Sequence, residues 1–278
     1  MSKQPNALPI TAPGAATQPT CATHSIPVPG GQIHARSWTP PQADPARPPV
    51  ILFHDSLGCV ELWRSFPAAL AHALGRRVIA YDRLGFGASD PRHDTLSLDF
   101  ICEEATLYLP HVLAALGVER FIACGHSVGG GMAVHSAAAH PERCVALITM
   151  AAQCFVENLT RAGIVEARDQ FADPTAFARL ERYHGPKARW VLNAWTETWL
   201  SPAFADWSLH PILPAVCCPT LVIHGAQDEY GSADQPRAIA AGVAGAAELV
   251  LMPDTRHVPH REREGAVVGV IGGWCALF

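Results

Sequence analysis

Gly125-His126-Ser127-Val128-Gly129 is preceded by Arg120-Phe121-Ile122-Ala123-Cys124, a short apolar run that predicts a buried strand. It is followed by Gly130-Gly131-Met132-Ala133-Val134-His135-Ser136-Ala137-Ala138-Ala139, small and helix-tolerant, closed by His140-Pro141. A serine between two glycines at a strand-to-helix junction is the pattern of a nucleophile held on a sharp, strained turn. The glycines remove the Cβ atoms that would collide with the strand and the helix. The hydroxyl then projects above the sheet, and the Val128 N–H faces the place where an oxyanion would form. A glycine-rich turn with an incidental serine has the same five residues, so the surrounding chain has to decide.

Outward from this turn the chain alternates. Cys21 to Ser37 predicts a β-hairpin turning at Pro29-Gly30-Gly31, and Pro40 to Pro49 a proline-rich connection. Val50-Ile51-Leu52-Phe53-His54 and Arg77-Val78-Ile79-Ala80-Tyr81-Asp82 read as apolar strands, separated by an amphipathic helix of roughly Leu62 to Leu74. Ser97 to Leu116 is a second helical pattern, interrupted at Pro110 and ending at Gly117. Beyond the central turn come the strand Cys144 to Met150, then Pro219 to Gly225, a helix near Ala233 to Val243, the strand Ala247 to Met252 and a last helix near Arg263 to Leu277. Strands that are apolar on both faces, alternating with helices, predict an α/β architecture: a mostly parallel central sheet with helices on both faces. From 153 to 213 the strands vanish, and helix formers with Trp190, Trp195, Trp199 and Trp207 predict a helical insertion. The expected organisation is a leader over 1–20, a core of 21–152 and 214–278, and a helical lid of 153–213.

Composition narrows the function classes. The 278 residues are 49% hydrophobic and 16% charged, with a formal net charge of −5. No Lys/Arg cluster offers a footprint for nucleic acid. No apolar run approaches the roughly 18 residues needed to span a bilayer. The first twenty residues, rich in Pro, Ala, Thr and Gln, resemble neither a signal nor a transit peptide and read as a disordered leader. Nine cysteines at irregular spacing fit reduced, mostly buried thiols in the cytoplasm better than a disulfide framework or a metal site. The oligomeric state stays open, a homodimer included.

A serine hydroxyl needs a histidine to take its proton and a carboxylate to orient that histidine. Asp228 follows the strand ending His224-Gly225, in Ala226-Gln227-Asp228-Glu229-Tyr230, and His257 follows the last strand, in Pro253-Asp254-Thr255-Arg256-His257-Val258-Pro259-His260. With Tyr81-Asp82-Arg83-Leu84-Gly85-Phe86-Gly87-Ala88-Ser89-Asp90 and the Val50 to Gly58 stretch, these motifs resemble the α/β-hydrolase superfamily from about Cys21 to the C-terminus. The resemblance implies the order nucleophile Ser127, acid Asp228, base His257, with Glu229 and His260 as alternatives for the last two. His126 and Asp82 then read as structural, and Asp254 as a loop residue. Relatives usually have His-Gly-x after the first core strand; here it is His54-Asp55-Ser56, which puts the oxyanion donors at the Ser56 and Val128 amides. Asp55 stands where the glycine would be, and Asp tolerates left-handed backbone better than most residues.

The implied activity is hydrolysis of a small carboxylic ester or lactone through an acyl-enzyme, with a small-molecule substrate and no metal or organic cofactor. Two alternatives remain: a carbon–carbon bond hydrolase acting on a ring-cleavage product, its substrate carboxylate met by Arg179, Arg182 or Arg189, and a slow-turnover ligand sensor. A serine rather than an aspartate nucleophile argues against dehalogenases and epoxide hydrolases, while perhydrolysis of the haloperoxidase kind stays open as a side activity. Trp195, Trp199 and Trp207, with Trp63 and Phe66 after the oxyanion loop, are the candidates for the substrate pocket.

Overall fold

The computed structural model describes residues 18–277. The leader expected over 1–20 falls mostly outside them, and Thr20 already belongs to the first strand. That strand, β1 (Thr20–Val28), turns at Gly30 into β2 (Gly31–Thr39) and pairs with it antiparallel, Ile26 opposite Ile33. There follow β3 (Val50–Phe53), a 3₁₀ turn at Val60–Trp63, α1 (Phe66–Leu74) and β4 (Val78–Tyr81). Next come α2 (Phe100–Glu103), α3 (Leu109–Ala115), β5 (Phe121–His126), α4 (Val128–Ala139) and β6 (Cys144–Met150). Helices α5 (Asn158–Gln170), α6 (Pro174–His184) and α7 (Ala188–Leu200) then leave the sheet. The chain returns as β7 (Thr220–Gly225), α8 (Asp234–Gly242), β8 (Ala247–Met252), α9 (Pro259–Glu262) and α10 (Glu264–Cys275).

The sheet runs β1-β2-β4-β3-β5-β6-β7-β8, and from β4 onward every pairing is parallel. Its inner strands β3 to β7 are largely apolar and buried because both faces are covered there. Ile51, Phe53, Ile79, Tyr81 and Ala123 face one side, where Val112 and Leu113 of α3 and Met132 of α4 pack. Their neighbours Val50, Leu52, Val78, Ala80 and Ile122 face the other, against Phe66 and Leu70 of α1 and Val267 and Ile271 of α10. Among the described residues no helix is long and apolar enough to cross a membrane.

Two helical expectations change shape. The helix read as Leu62 to Leu74 is broken at Arg64, whose φ is 54°, so the 3₁₀ turn and α1 present different faces to the core. Between α2 and α3 the helix widens into a π turn at Glu104–Tyr108. Pro110 lacks the N–H that would bond one turn back and its ring crowds that carbonyl, so the helix opens just before it.

Candidate active site

In a parallel sheet the loops after successive strands gather at one edge. Four of them meet here: His54 after β3, Ser127 after β5, Asp228 after β7 and His257 after β8. Ser127 adopts φ 56° and ψ −127°, a conformation rare for a residue with a side chain. It is held because the Ser127 N–H donates to the Met150 carbonyl at 2.9 Å, while its own carbonyl accepts from Gly130 at 2.8 Å. The flanking glycines are required by contact. A Cβ at Gly125 would lie 2.0 Å from the Gly129 oxygen, and one at Gly129 would lie 2.1 Å from the Phe53 oxygen.

The structure brings the three expected side chains together. Ser127 Oγ lies 3.0 Å from His257 Nε2, and His257 Nδ1 lies 2.9 Å from both Asp228 oxygens. The Tyr230 and Gly231 amides donate to Asp228 Oδ1 at 2.8 and 3.2 Å. Burial alone would raise the Asp228 pKa, but the His257 hydrogen bond and charge, His224 and the Tyr230 amide outweigh it and hold it below the usual value. An ionised Asp228 accepts from Nδ1–H, which leaves the Nε2 lone pair facing the serine hydroxyl. Glu229, the alternative acid, instead accepts from the His257 backbone N–H at 3.2 Å and pairs with Arg256. His260, the alternative base, is buried between Trp63 and His126 rings, 4.6 and 4.7 Å away, and burial pushes its pKa well down.

Because the folded-state pKa of Asp228 lies below its unfolded value of about 3.9, its charge stabilises the fold above that pH and the benefit fades as pH falls through the folded value. Asp228→Asn is therefore expected to melt below the parent at pH 7, the gap narrowing as pH drops below about 4. Thermal melts of both proteins from pH 7 to pH 3 check this; a gap that widens on acidification contradicts it.

The Asp55 loop solves its problem without left-handed backbone. Among the described residues only Arg64, Ser127, Ala151 and Asp254 have positive φ outside glycine. Three donors converge on the Asp55 carbonyl: His54 Nδ1–H at 2.8 Å, Arg83 Nη2–H at 2.9 Å and Gly58 N–H at 3.1 Å. Arg83 N–H donates to His54 Nε2 at 3.1 Å, which fixes His54 as the neutral Nδ1–H tautomer; burial and the Arg83 charge keep its pKa well down. Arg83 itself is buried, its pKa lowered to about 10 by desolvation, so it remains charged. The peptide that follows is thus clamped at its oxygen, and its Ser56 N–H has no acceptor among the described residues.

A cavity of about 210 Å³ opens beside Ser127, walled by Leu57, Leu62, Ile164, Trp195, Trp199 and Tyr230, with Ser56 on its rim. Trp195 and Trp199, one turn apart on α7, line this cavity. Trp63, Phe66 and Trp207 do not. Trp63 and Phe66 stack on each other at 5.8 Å and belong to the core beneath the α1 face, because the break at Arg64 turns Leu62 rather than Trp63 toward the cavity. Trp207 lies beyond the end of α7 and stacks on Phe204 at 5.4 Å. Arg179, Arg182 and Arg189 do not reach this cavity either; its cationic side chain is Arg261, whose Nε–H donates to the Leu62 carbonyl at 3.0 Å.

Two residues that the sequence reading does not single out complete the site. Gln153, just after β6, is buried with Oε1 3.4 Å from Ser127 Oγ, and the Tyr230 ring lies 4.7 Å from that of His257. Tyr230 was within reach of sequence reasoning, two residues after the acid. Gln153 belongs to no motif, and its place in the site comes from the folded sheet.

A sequence model of the alpha/beta hydrolase fold matches residues 48–214, more than half of the chain. The chain belongs to the α/β-hydrolase family. Among proteins similar to this α/β-hydrolase in sequence, a 2-hydroxymuconate semialdehyde hydrolase of Pseudomonas sp. strain CF600 is 36% identical over 104 residues, 37% of this chain and 35% of its own. Epoxide hydrolase B of Mycobacterium tuberculosis is 33% identical over 119 residues, 43% of this chain and 32% of its own. These matches span about a third of the relatives' lengths. Among solved structures, the 2-hydroxy-6-oxo-6-phenylhexa-2,4-dienoate hydrolase of Rhodococcus sp. strain RHA1 superposes with a TM-score of 0.75 at 20% identity, covering 92% of this chain and 98% of that one. At that identity the likeness is one of fold.

Proposed function

We propose that this α/β-hydrolase is a serine hydrolase that cleaves a small carboxylic ester or lactone through an acyl-enzyme. The reading rests on the continuous path Ser127 Oγ to His257 Nε2 at 3.0 Å and His257 Nδ1 to Asp228 at 2.9 Å. His257 takes the Ser127 proton as Oγ attacks the carbonyl carbon, and Asp228 stabilises the imidazolium that forms. The oxyanion is held by the Ser56 N–H and by the Val128 N–H, at the first residue of α4, where the helix end has no internal acceptor for it. Collapse expels the alcohol, protonated by His257, and water activated by the same histidine releases the acid.

Helices α5 and α7 supply part of the cavity wall, through Ile164, Trp195 and Trp199, which supports the insertion acting as a lid with an apolar acyl pocket. Trp195→Ala is expected to raise KM for a nitrophenyl butyrate about tenfold, from lost apolar burial, and to change KM for the acetate by less than about threefold. Equal effects on the two esters would remove Trp195 from the acyl pocket. The nine cysteines, all unpaired, suit a cytoplasmic setting.

A second reading, hydrolysis of a carbon–carbon bond in a ring-cleavage product, is supported by the names of similar proteins and by the Arg261 guanidinium, suited to a substrate carboxylate. The purified protein is to be assayed on short nitrophenyl esters, a small lactone and a 2-hydroxy-6-oxo-dienoate. The ester reading expects kcat/KM at least about a hundredfold higher on an ester or lactone than on the dienoate; the reverse order installs the second reading. Turnover of none of them would sink both.

A further inference from the structure

Asp55 does more than occupy a glycine's place. Its Oδ1 accepts the Leu57 N–H at 2.9 Å, closing a tight turn, while its Oδ2 lies 3.4 Å from Nδ1 of His126. The other nitrogen of His126, Nε2, lies 2.7 Å from the backbone carbonyl of His257. A carbonyl only accepts, so Nε2 carries a proton and donates it there. Nδ1 is sealed from solvent and makes no well-aligned hydrogen bond among the described residues; the Asp55 carboxylate faces it, and a proton on Nδ1 makes the two an ion pair.

We propose that Asp55 is a positioning residue: its carboxylate braces the His126 ring, which in turn holds the main chain of His257, so that the oxyanion loop and the base loop are kept in register through the residue preceding the nucleophile. The inference rests on the reading of Ser127 and His257 as nucleophile and base. His257 is then tethered at three points: its ring by Asp228, its N–H by Glu229 Oε2 at 3.2 Å, and its carbonyl by His126. The third tether is the one that leads back to the loop bearing Ser56.

The electrostatic surroundings agree. Burial works to raise the Asp55 pKa, yet His126, Arg261 and His54 together hold it well below the usual carboxylate range, so its carboxylate is ionised at neutral pH. Of the groups packed around His126, the rings of His257 and His260 lie 5.2 and 4.7 Å away and that of Trp63 6.5 Å, and none of them offers an anion. The Arg261 charge close to Asp55 offsets the repulsion that a bare carboxylate would exert on an oxyanion forming at the neighbouring Ser56 amide.

The test is a double-mutant cycle on the full chain, read by the rate at which a fluorophosphonate labels Ser127. This reaction needs the activated serine but no knowledge of the substrate. Asp55→Asn keeps the size of the side chain and the acceptor for Leu57 while removing the charge; His126→Leu removes both ring nitrogens. Each is expected to slow labelling about tenfold, through a small misplacement of the base. The double variant is expected within about twofold of the slower single, because both act through one linkage. In ester assays of Asp55→Asn the loss should fall on kcat, with KM within about twofold of the parent. Thermal melts report folding, and Asp55→Ser, which also keeps an oxygen for the turn, takes the place of Asp55→Asn if that variant is unstable. Labelling at the parent rate in the position-55 variant, or single losses that multiply in the double variant, overturns the proposal. A parent protein that does not label at all overturns the nucleophile reading instead.

Discussion

Ser127→Ala is expected to lower kcat for ester hydrolysis by a factor on the order of 10⁵–10⁶ while leaving the protein folded. The hydroxyl is the only group removed, and alanine meets the same backbone strain at φ 56° that serine already tolerates. What survives should be the weak catalysis of an oxyanion hole and a binding site without a nucleophile, roughly 10³-fold over water. The cavity walls are untouched, so a competitive inhibitor should bind with an unchanged constant. The measurement is steady-state turnover of a short nitrophenyl ester beside a thermal melt. Retention of more than about 1% of the parent rate with an unchanged melt would mean that some other group attacks the ester.

Gly129→Ala is expected to cost the fold rather than the chemistry. A Cβ there would sit 2.1 Å from the Phe53 oxygen and 2.6 Å from the His54 oxygen. Both are backbone atoms at the end of β3, a strand hydrogen-bonded on both sides, by β4 and by β5. Neither can swing away as a side chain would. Either the first turn of α4 lifts off the sheet or the end of β3 moves, and the penalty should reach about 3–5 kcal/mol. For a chain of this size that corresponds to a fall in melting temperature on the order of 10 °C. Gly269→Ala is the matched control: it lies within α10, nothing stands within 4 Å of its Cβ position, and it should be neutral or slightly stabilising. A Gly129→Ala protein melting with the parent would show that the junction of α4 with β3 is looser than its contacts imply.

The parts of the site that were legible in the sequence are those set by near neighbours along the chain. A strand, a glycine, a serine, a glycine and a helix dictate their own turn. Asp228 and His257 follow strands that a parallel sheet must line up at one edge. The parts that were not legible depend on a rotation or on a distant partner. The candidacy of Trp63 and Phe66 rests on one helix from Leu62 to Leu74, and a single backbone break at Arg64 sends Leu62 to the cavity in their place. Trp207 sits eight residues after Trp199, a helical interval, yet α7 has already ended at Leu200. Asp55 was recognised as a departure, but its role depends on His126 and Arg83, brought to it only by the folded sheet.

The stretch from Phe155 to Lys187 is stitched to the rest of the chain at both ends. At one end Lys187 donates to the carbonyls of Phe86, Gly87 and Ser89, and His184 bridges the Gly87 N–H and the Leu57 carbonyl. At the other, the Thr160 hydroxyl donates to the Tyr230 carbonyl, and Gln235 bonds to the backbone of Phe155 and to Glu157. Between these anchors lies the turn joining α5 to α6, beside a second hollow that shares Leu57 and Leu62 with the first. A flap sewn along two edges opens at its free hem. On the proposed hydrolase reading, traffic of substrate and product is expected to pass under this turn by local loop and side-chain movement, on nanosecond to microsecond time scales, without the slower swing of a whole domain setting the pace of turnover.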